Sequence, residues 1–141
     1  MGYKRPESVL VVVYTSGGEV LMLQRTHPEG FWQSVTGSLE QGELPAAAAR
    51  RELREETGLD IAVEDCQRSY EFEILPAWRD RFAPGTQTNR EHVFSACCLA
   101  QAEICINREE HTAYRWLPRT AAAALASSST NRDAILEYVT G

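Results

Sequence analysis

Three glutamates, Glu52, Glu55 and Glu56, crowd the segment GSLEQGELPAAAARRELREETGL, which starts at Gly37. If its second half is helical, these acids span roughly 100° of one face, with Glu52 and Glu56 stacked one turn apart. Arg50 with Arg54 and Glu52 with Glu56 are like-charge pairs at i,i+4, and only Arg51 with Glu55 is favourable. A helix patterned for solvation alone would space its charges differently. Clustered carboxylates suit a hard divalent cation such as Mg²⁺, with Mn²⁺ as an alternative, because such ions take oxygen ligands and complete their shell with water and phosphates. The chemistry this points to is hydrolysis of a phosphoanhydride, which needs a positioned water and charge neutralisation. Glu52 and Glu56 are the direct metal candidates. Glu55 is either a further ligand or the base that orients water, and the residues leave both roles open.

The elements around this stripe have to hold it in place. Pro45 at a first helical position, the alanines at 46–49 and Gly58 as a stop bracket a helix of about three turns. Leu44 falls where a capping oxygen belongs, an omission that costs about 1 kcal/mol, so another group is expected to compensate. The loop 37–44 contains Gly37 and Gly42, which allow close backbone approach, and Glu43 can return to the helix to pair with Arg51. Upstream, 8–14 reads as a buried strand, Gly17-Gly18 as a turn and 20–25 as its hairpin partner, followed by a strand at 31–36. Downstream, 61–75 and 91–99 read as strands separated by a long loop at 76–90, a length that usually carries function. A short strand at 114–117 precedes two helices, one capped by Thr120 and running to Leu125, the other capped by Asn131, running to Val139 and stopped at Gly141. Strands and helices mix without regular βαβ alternation, which predicts an α+β fold with a mixed sheet.

The 141 residues suit a single domain, 1–141, and 43% apolar against 24% charged residues excludes disorder. The longest apolar run, 9–14, is far short of the roughly 20 residues a membrane span needs, and the N-terminus has no signal-peptide pattern, so a cytoplasmic location without membrane partners is expected. A net charge of −6 leaves no basic footprint for nucleic acid. Cys66, Cys97, Cys98 and Cys105 have no CxxC spacing and are read as reduced, the adjacent pair on opposite faces of a strand. His27, His92 and His111 show no metal-ligand spacing and receive no catalytic role. Of Trp32, Trp78 and Trp116, read as mainly structural, Trp32 is the best ligand candidate because it lies nearest the acidic segment.

Gly37, five residues, Glu43, seven residues, then Arg51-Glu52-Leu53-Arg54-Glu55-Glu56-Thr57-Gly58-Leu59 resembles the Nudix box at every specified position. The resemblance implies the Nudix fold, a mixed sheet sandwiched between α-helices, and metal-dependent hydrolysis of a diphosphate linked to another moiety. It extends to Tyr3-Lys4-Arg5-Pro6, to residues 31–37, to Asp65-Cys66-Gln67-Arg68 with Glu71-Phe72-Glu73-Ile74, to Ala83-Pro84-Gly85, and to Glu110-His111 with Tyr114 and Trp116. These segments are similar to the Nudix branch that acts on 7,8-dihydroneopterin triphosphate in folate biosynthesis, releasing the monophosphate and pyrophosphate.

That branch implies Glu110 as a late acidic metal ligand, although an exposed acidic loop is the plainer reading. It implies Lys4 and Arg25 near the phosphates, where isolated solubilising charges would look the same. It also implies substrate contacts from Thr36, from the strand Phe72, Glu73, Ile74 and Leu75, and from Ser128. Phe72 serves a core equally well, and Thr36 suits any strand end. Gly37, Glu43 and Arg51 would support the site. The ligand expected is a small pterin or nucleoside triphosphate; nothing in the residues indicates an oligomeric state. Two rivals are a pyrophosphatase acting on dNTPs or oxidised nucleotides, and a non-catalytic Nudix-fold regulator, which should have lost box carboxylates that are all present here.

Overall fold

The computed structural model describes residues 2–139. Its centre is β1 (Glu7–Thr15), whose alternating side chains are buried on both sides. Val9, Val11 and Val13 face one apolar layer, and Leu10 and Val12 face the other. β2 (Glu19–Arg25), β3 (Trp32–Gln33), β4 (Val35–Ser38), β5 (Glu64–Glu73), β6 (Thr88–Cys98) and β7 (His111–Pro118) complete a seven-stranded sheet. β1 and β6 run parallel while the other pairs are antiparallel, so the sheet is mixed. α1 (Pro45–Thr57) covers one face, packing Ala48, Ala49 and Leu53 against Val9, Val11, Leu23 and Phe94. α2 (Arg119–Leu125) and α3 (Ser129–Tyr138) cover the other face, where Ala122, Ala123, Ala134 and Ile135 meet Leu10, Val12, Met22 and Val93. The result is the expected α+β sandwich.

The differences from the sequence reading have local causes. The single strand expected at 31–36 is two strands broken at Ser34: β3 pairs with β2, and β4 pairs with β1 from Ser38 opposite Ser8 to Val35 opposite Val11. Because β4 occupies that half of β1 and β7 takes most of β2, the β1–β2 hairpin is paired only at Tyr14 with Val20. The loop expected at 76–90 contains a 3₁₀ helix, Pro76–Arg81, and gives its last residues to β6. β5 starts later and ends earlier than 61–75, and β7 begins at His111, ahead of Tyr114.

Two cap assignments also shift. Thr120 lies inside α2, which starts after Pro118 without a side-chain cap. Ser128, and not Asn131, caps α3 by accepting from the Asn131 amide, and Gly141 lies outside the described residues. Leu44 stands at the α1 N-cap with no side-chain bond, so the expected compensating group does not exist among the described residues. Pro45 removes one of the orphan donors there, and Leu44 is exposed. At the other end Gly58 adopts φ 78°, and its amide closes the helix onto the Arg54 carbonyl. Cys97 is exposed and Cys98 buried, on opposite faces as expected, and all four cysteines are free.

Candidate active site

Amphipathic α1 turns Leu53 into the core and brings Glu52 and Glu56 to the edge where β4 ends. The Glu52 carboxylate lies against the backbone of Gly37: a Cβ at that position would sit 2.0 Å from it. Only glycine allows this approach, since real Cβ atoms do not come so close. Glu56 is 1% exposed, and its Oε2 has no hydrogen-bond partner. Its Oε1 lies 3.4 Å from Nε2 of His111, itself buried at the start of β7. Glu110 completes the group: one ligand atom each from Glu56, Glu110 and His111 fall within 4.8 Å of one another. The loop carrying Glu110 is tied to Thr26, whose amide and hydroxyl donate to the Glu110 carbonyl at 2.8 and 2.9 Å.

Electrostatics mark the same place. Burial, reinforced by Glu52 and Glu110, pushes the Glu56 carboxyl well above the usual carboxylate range, with the Thr36 backbone pulling the other way. Burial likewise raises Glu52 to about 7, against the pull of Arg51. His111 is lowered to about 4, by burial first and then by Arg25. Its imidazole is therefore neutral at physiological pH and faces Glu56 as a dipole, not as a counter-ion. Acids held this close, with a buried Glu56 oxygen that has no hydrogen-bond partner, fit a hard divalent ion. Such ions prefer oxygen, so Glu56 and Glu110, with Glu52 on the same stripe of α1, could hold one, while the His111 imidazole lies against Glu56.

Glu55 stands apart, half exposed, and accepts from Arg51 at 3.2 Å. Arg51 is the hub of the segment. Its Nε and Nη2 grip both oxygens of Glu43 at 2.8 and 2.9 Å, Nη2 reaches the Ser38 carbonyl at 3.1 Å, and Nη1 reaches Glu52 at 3.1 Å. The two-pronged bond holds the Glu43 carboxyl below its ordinary range. Arg5 clamps the loop from outside by donating to the Glu40 and Glu43 carbonyls.

Cations lie next to these acids. The Lys4 ammonium is lowered by burial, then by Arg81 and Arg25, and supported by Glu110 and Glu52. Arg25 is lowered by burial and supported by Glu56 and Glu110; it bonds the His27 carbonyl and lies 5.5 Å over the Trp78 ring. Nothing in the sequence around Arg81 marks it as a site residue, although the length of the loop that carries it points to function. The Arg81 carbonyl accepts from the Lys4 amide at 2.8 Å, which fastens the 3₁₀ helix to the N-terminal segment. His111 was likewise assigned no role, because its partners come from α1 and β3 and leave no spacing to read.

The remaining expected contacts scatter over the sheet. Thr36 is half-buried opposite Leu10, and Phe72 is half-buried opposite Asn89. Glu73 is exposed and paired with Arg79 at 2.7 Å, Ile74 is buried, and Leu75 is exposed. Ser128 caps α3 and shares a 2.9 Å contact with the Thr130 hydroxyl. Trp32 is held through its backbone by Ser127, and Trp116 bonds the Ala102 carbonyl.

Known proteins resemble this chain over nearly its whole length. A protein of Escherichia coli (strain K12) named dihydroneopterin triphosphate diphosphatase is 49% identical over 143 residues, covering 97% of this chain and 94% of that protein. A Haemophilus influenzae protein of the same name is 42% identical over 99% of this chain and 90% of its own length. The solved structure of the E. coli dihydroneopterin triphosphate pyrophosphohydrolase superposes with a TM-score of 0.92 at 46% identity, covering 99% of this chain and 98% of that one. The NUDIX domain model matches residues 4–138, and the chain belongs to the NUDIX family.

Proposed function

We propose that this chain hydrolyses 7,8-dihydroneopterin triphosphate to dihydroneopterin monophosphate and pyrophosphate in the presence of Mg²⁺, with Mn²⁺ as a substitute. The observation that carries this reading is the acid group built on buried Glu56, with half-buried Glu52 and exposed Glu110, beside Lys4, Arg25 and Arg81. Acids next to cations suit a polyanion that arrives with a divalent ion, and the identity to the E. coli and H. influenzae diphosphatases supports the pterin as its other half. When bound, the ion supplies Lewis-acid polarisation of a phosphoryl oxygen and a water activated near neutral pH.

The chain's own groups do the rest. Lys4, Arg25 and Arg81 neutralise and orient the phosphates, so that in-line attack is entropically prepared. Glu52, Glu56 and Glu110 seat the ion, and His111 Nε2 braces Glu56 Oε1. Of the two roles open to Glu55, its exposure, outside the group of Glu56, Glu110 and His111, favours holding the attacking water as a base over ligation. Arg51 fixes Glu43 and so keeps Gly37 against Glu52. Ser128, Thr36 and Phe72 are proposed to line the path of the pterin.

The test is product analysis with purified protein, Mg²⁺ and 7,8-dihydroneopterin triphosphate, with dATP and 8-oxo-dGTP as competitors. Monophosphate and pyrophosphate in equal amounts, at a kcat/KM well above that for either nucleotide, are expected. Preference for a nucleotide would overturn the pterin assignment, and no hydrolysis of any of the three would overturn the enzymatic one.

A further inference from the structure

On the sheet face under α3 lies an acid that none of the chemistry above uses. Glu91 of β6 is 7% exposed. Its Oε1 accepts from the Thr130 hydroxyl at 3.1 Å, and its carboxylate makes no other side-chain hydrogen bond among the described residues. Its neighbours across the sheet are Ser8 on β1 and Tyr70 on β5, and two residues along β6 buried Asn89 donates to Ser8 and lies opposite Phe72. Among the described residues no lysine, arginine or second acid shifts its proton affinity: burial raises it to about 7, and the Thr130 hydroxyl opposes.

A buried carboxylate without a counter-ion is unfavourable, and an apolar residue of similar volume would pack there at lower cost. The surroundings of Glu91 are nevertheless polar and hydrogen-bonded. Thr130 touches Ser128, and Asn131, one residue further, receives the Ser34 amide at 2.8 Å and donates to the Ser34 hydroxyl at 2.9 Å. Ser34 leads directly into β4, which carries Thr36 and then Gly37, the residue against which Glu52 rests. One run of polar groups thus joins Glu91 to the phosphate end of the site.

We propose that Glu91 is the specificity-determining residue for the ring of the substrate, its carboxylate pairing with the two parallel N–H donors of a 2-amino-4-oxopyrimidine edge. That edge, N3–H beside a 2-amino group, belongs to pterins and to guanine. Adenine has no such donor pair, and thymine flanks its single N3–H with carbonyl oxygens that a carboxylate repels. With Oε1 steadied by Thr130, both oxygens can accept in one plane, the two-pronged geometry that makes carboxylate recognition selective. Phe72, opposite Asn89, flanks the plane such a ring would occupy. The inference rests on the reading of this chain as a pterin triphosphate hydrolase for the choice between pterin and guanine, but not for the edge itself.

The experiment has a variant arm and a wild-type arm. Glu91→Gln keeps the shape but replaces one acceptor with a donor. It is expected to raise KM for 7,8-dihydroneopterin triphosphate about tenfold or more with kcat nearly unchanged, and to weaken neopterin binding in a fluorescence titration by a similar factor. Inhibition by Mg²⁺–pyrophosphate, which has no ring, should not move. An unchanged pterin KM, or an equal loss of pyrophosphate affinity, would overturn the proposal. The wild-type arm needs no variant to fold: dGTP should bind, as substrate or competitive inhibitor, about tenfold better than dITP, which lacks the 2-amino group. Equal binding of the two would also overturn it. If dGTP is favoured over dITP but the pterin triphosphate is not hydrolysed, the edge inference stands and the pterin function falls. If the pterin is hydrolysed and Glu91→Gln is silent, the reverse holds.

Discussion

Glu56 combines near-complete burial, an orphaned oxygen and a raised proton affinity, so it weakens the fold in order to serve the site. Glu56→Gln is therefore expected to raise the melting temperature measured without divalent ion while cutting Mg²⁺-dependent pyrophosphate release at least about a hundredfold. A variant that melts as wild type and turns over normally at saturating Mg²⁺ would remove Glu56 from the metal seat. Glu110 and its neighbour Glu109 make an internal control, because both are exposed and both carbonyls accept from Thr26, yet only Glu110 joins the cluster with Glu56. Glu110→Gln should raise the Mg²⁺ concentration for half-maximal activity, and calorimetric Mn²⁺ titration should show weaker binding. Glu109→Gln should do neither, and equal small effects from both would return Glu110 to an ordinary surface charge.

At the scale of elements, the acid-bearing helix is locked to the loop before it by one guanidinium. Arg51 spans Glu43, the Ser38 carbonyl, Glu52 and Glu55, so the loop 37–44 and α1 move as one piece. Arg51→Lys keeps a charge but loses the planar fork, and is expected to cost about 1–3 kcal/mol of stability and to reduce activity through misplacement of Gly37 and Glu52. Urea unfolding and steady-state kinetics decide it; unchanged values in both would refute the bracing role. The 3₁₀ helix at Pro76–Arg81 does the corresponding work for the cations, since its bond to the Lys4 amide carries Arg81 toward Lys4 and Arg25.

Across the whole molecule, the sheet divides the labour. The face under α1 adjoins the acid stripe proposed to seat the metal, and the face under α2 and α3 holds buried Glu91. Burial raises Glu91 from 4.5 to about 7, so the folded chain keeps a proton there over a range in which the unfolded chain has lost it. Folding stability from this group is thus undiminished below about 4.5, falls as pH rises toward 7, and carries its full penalty above that. Relative to wild type, Glu91→Gln should gain stability between pH 5 and pH 8, by on the order of 2–3 kcal/mol. Urea unfolding of both proteins at the two pH values measures the gap, and an identical gap at both would mean that the charge is not penalised.

The acid stripe, the helix that carries it and the Glu43–Arg51 pair were legible in the amino-acid sequence because their geometry is local: a 3.6-residue period and a short loop define which side chains can meet. Strand existence was legible for the same reason, from the apolar run of β1 and the alternation in β5. Tertiary structure alone decided the pairings. Ser34 meets Asn131 across 97 residues, Glu91 meets Thr130 across 39, and Glu56 meets a histidine with no ligand spacing. Asn131 looked like a helix cap because any Ser, Thr or Asn near a helix start is chemically eligible. Ser128 took the cap, and the side-chain carboxamide of Asn131 was drawn to Ser34 at the break between β3 and β4. That break, the early start of β7 and the position of Arg81 all depend on which strands compete for β1 and β2, a choice made by burial over the whole sheet and not by any window of residues.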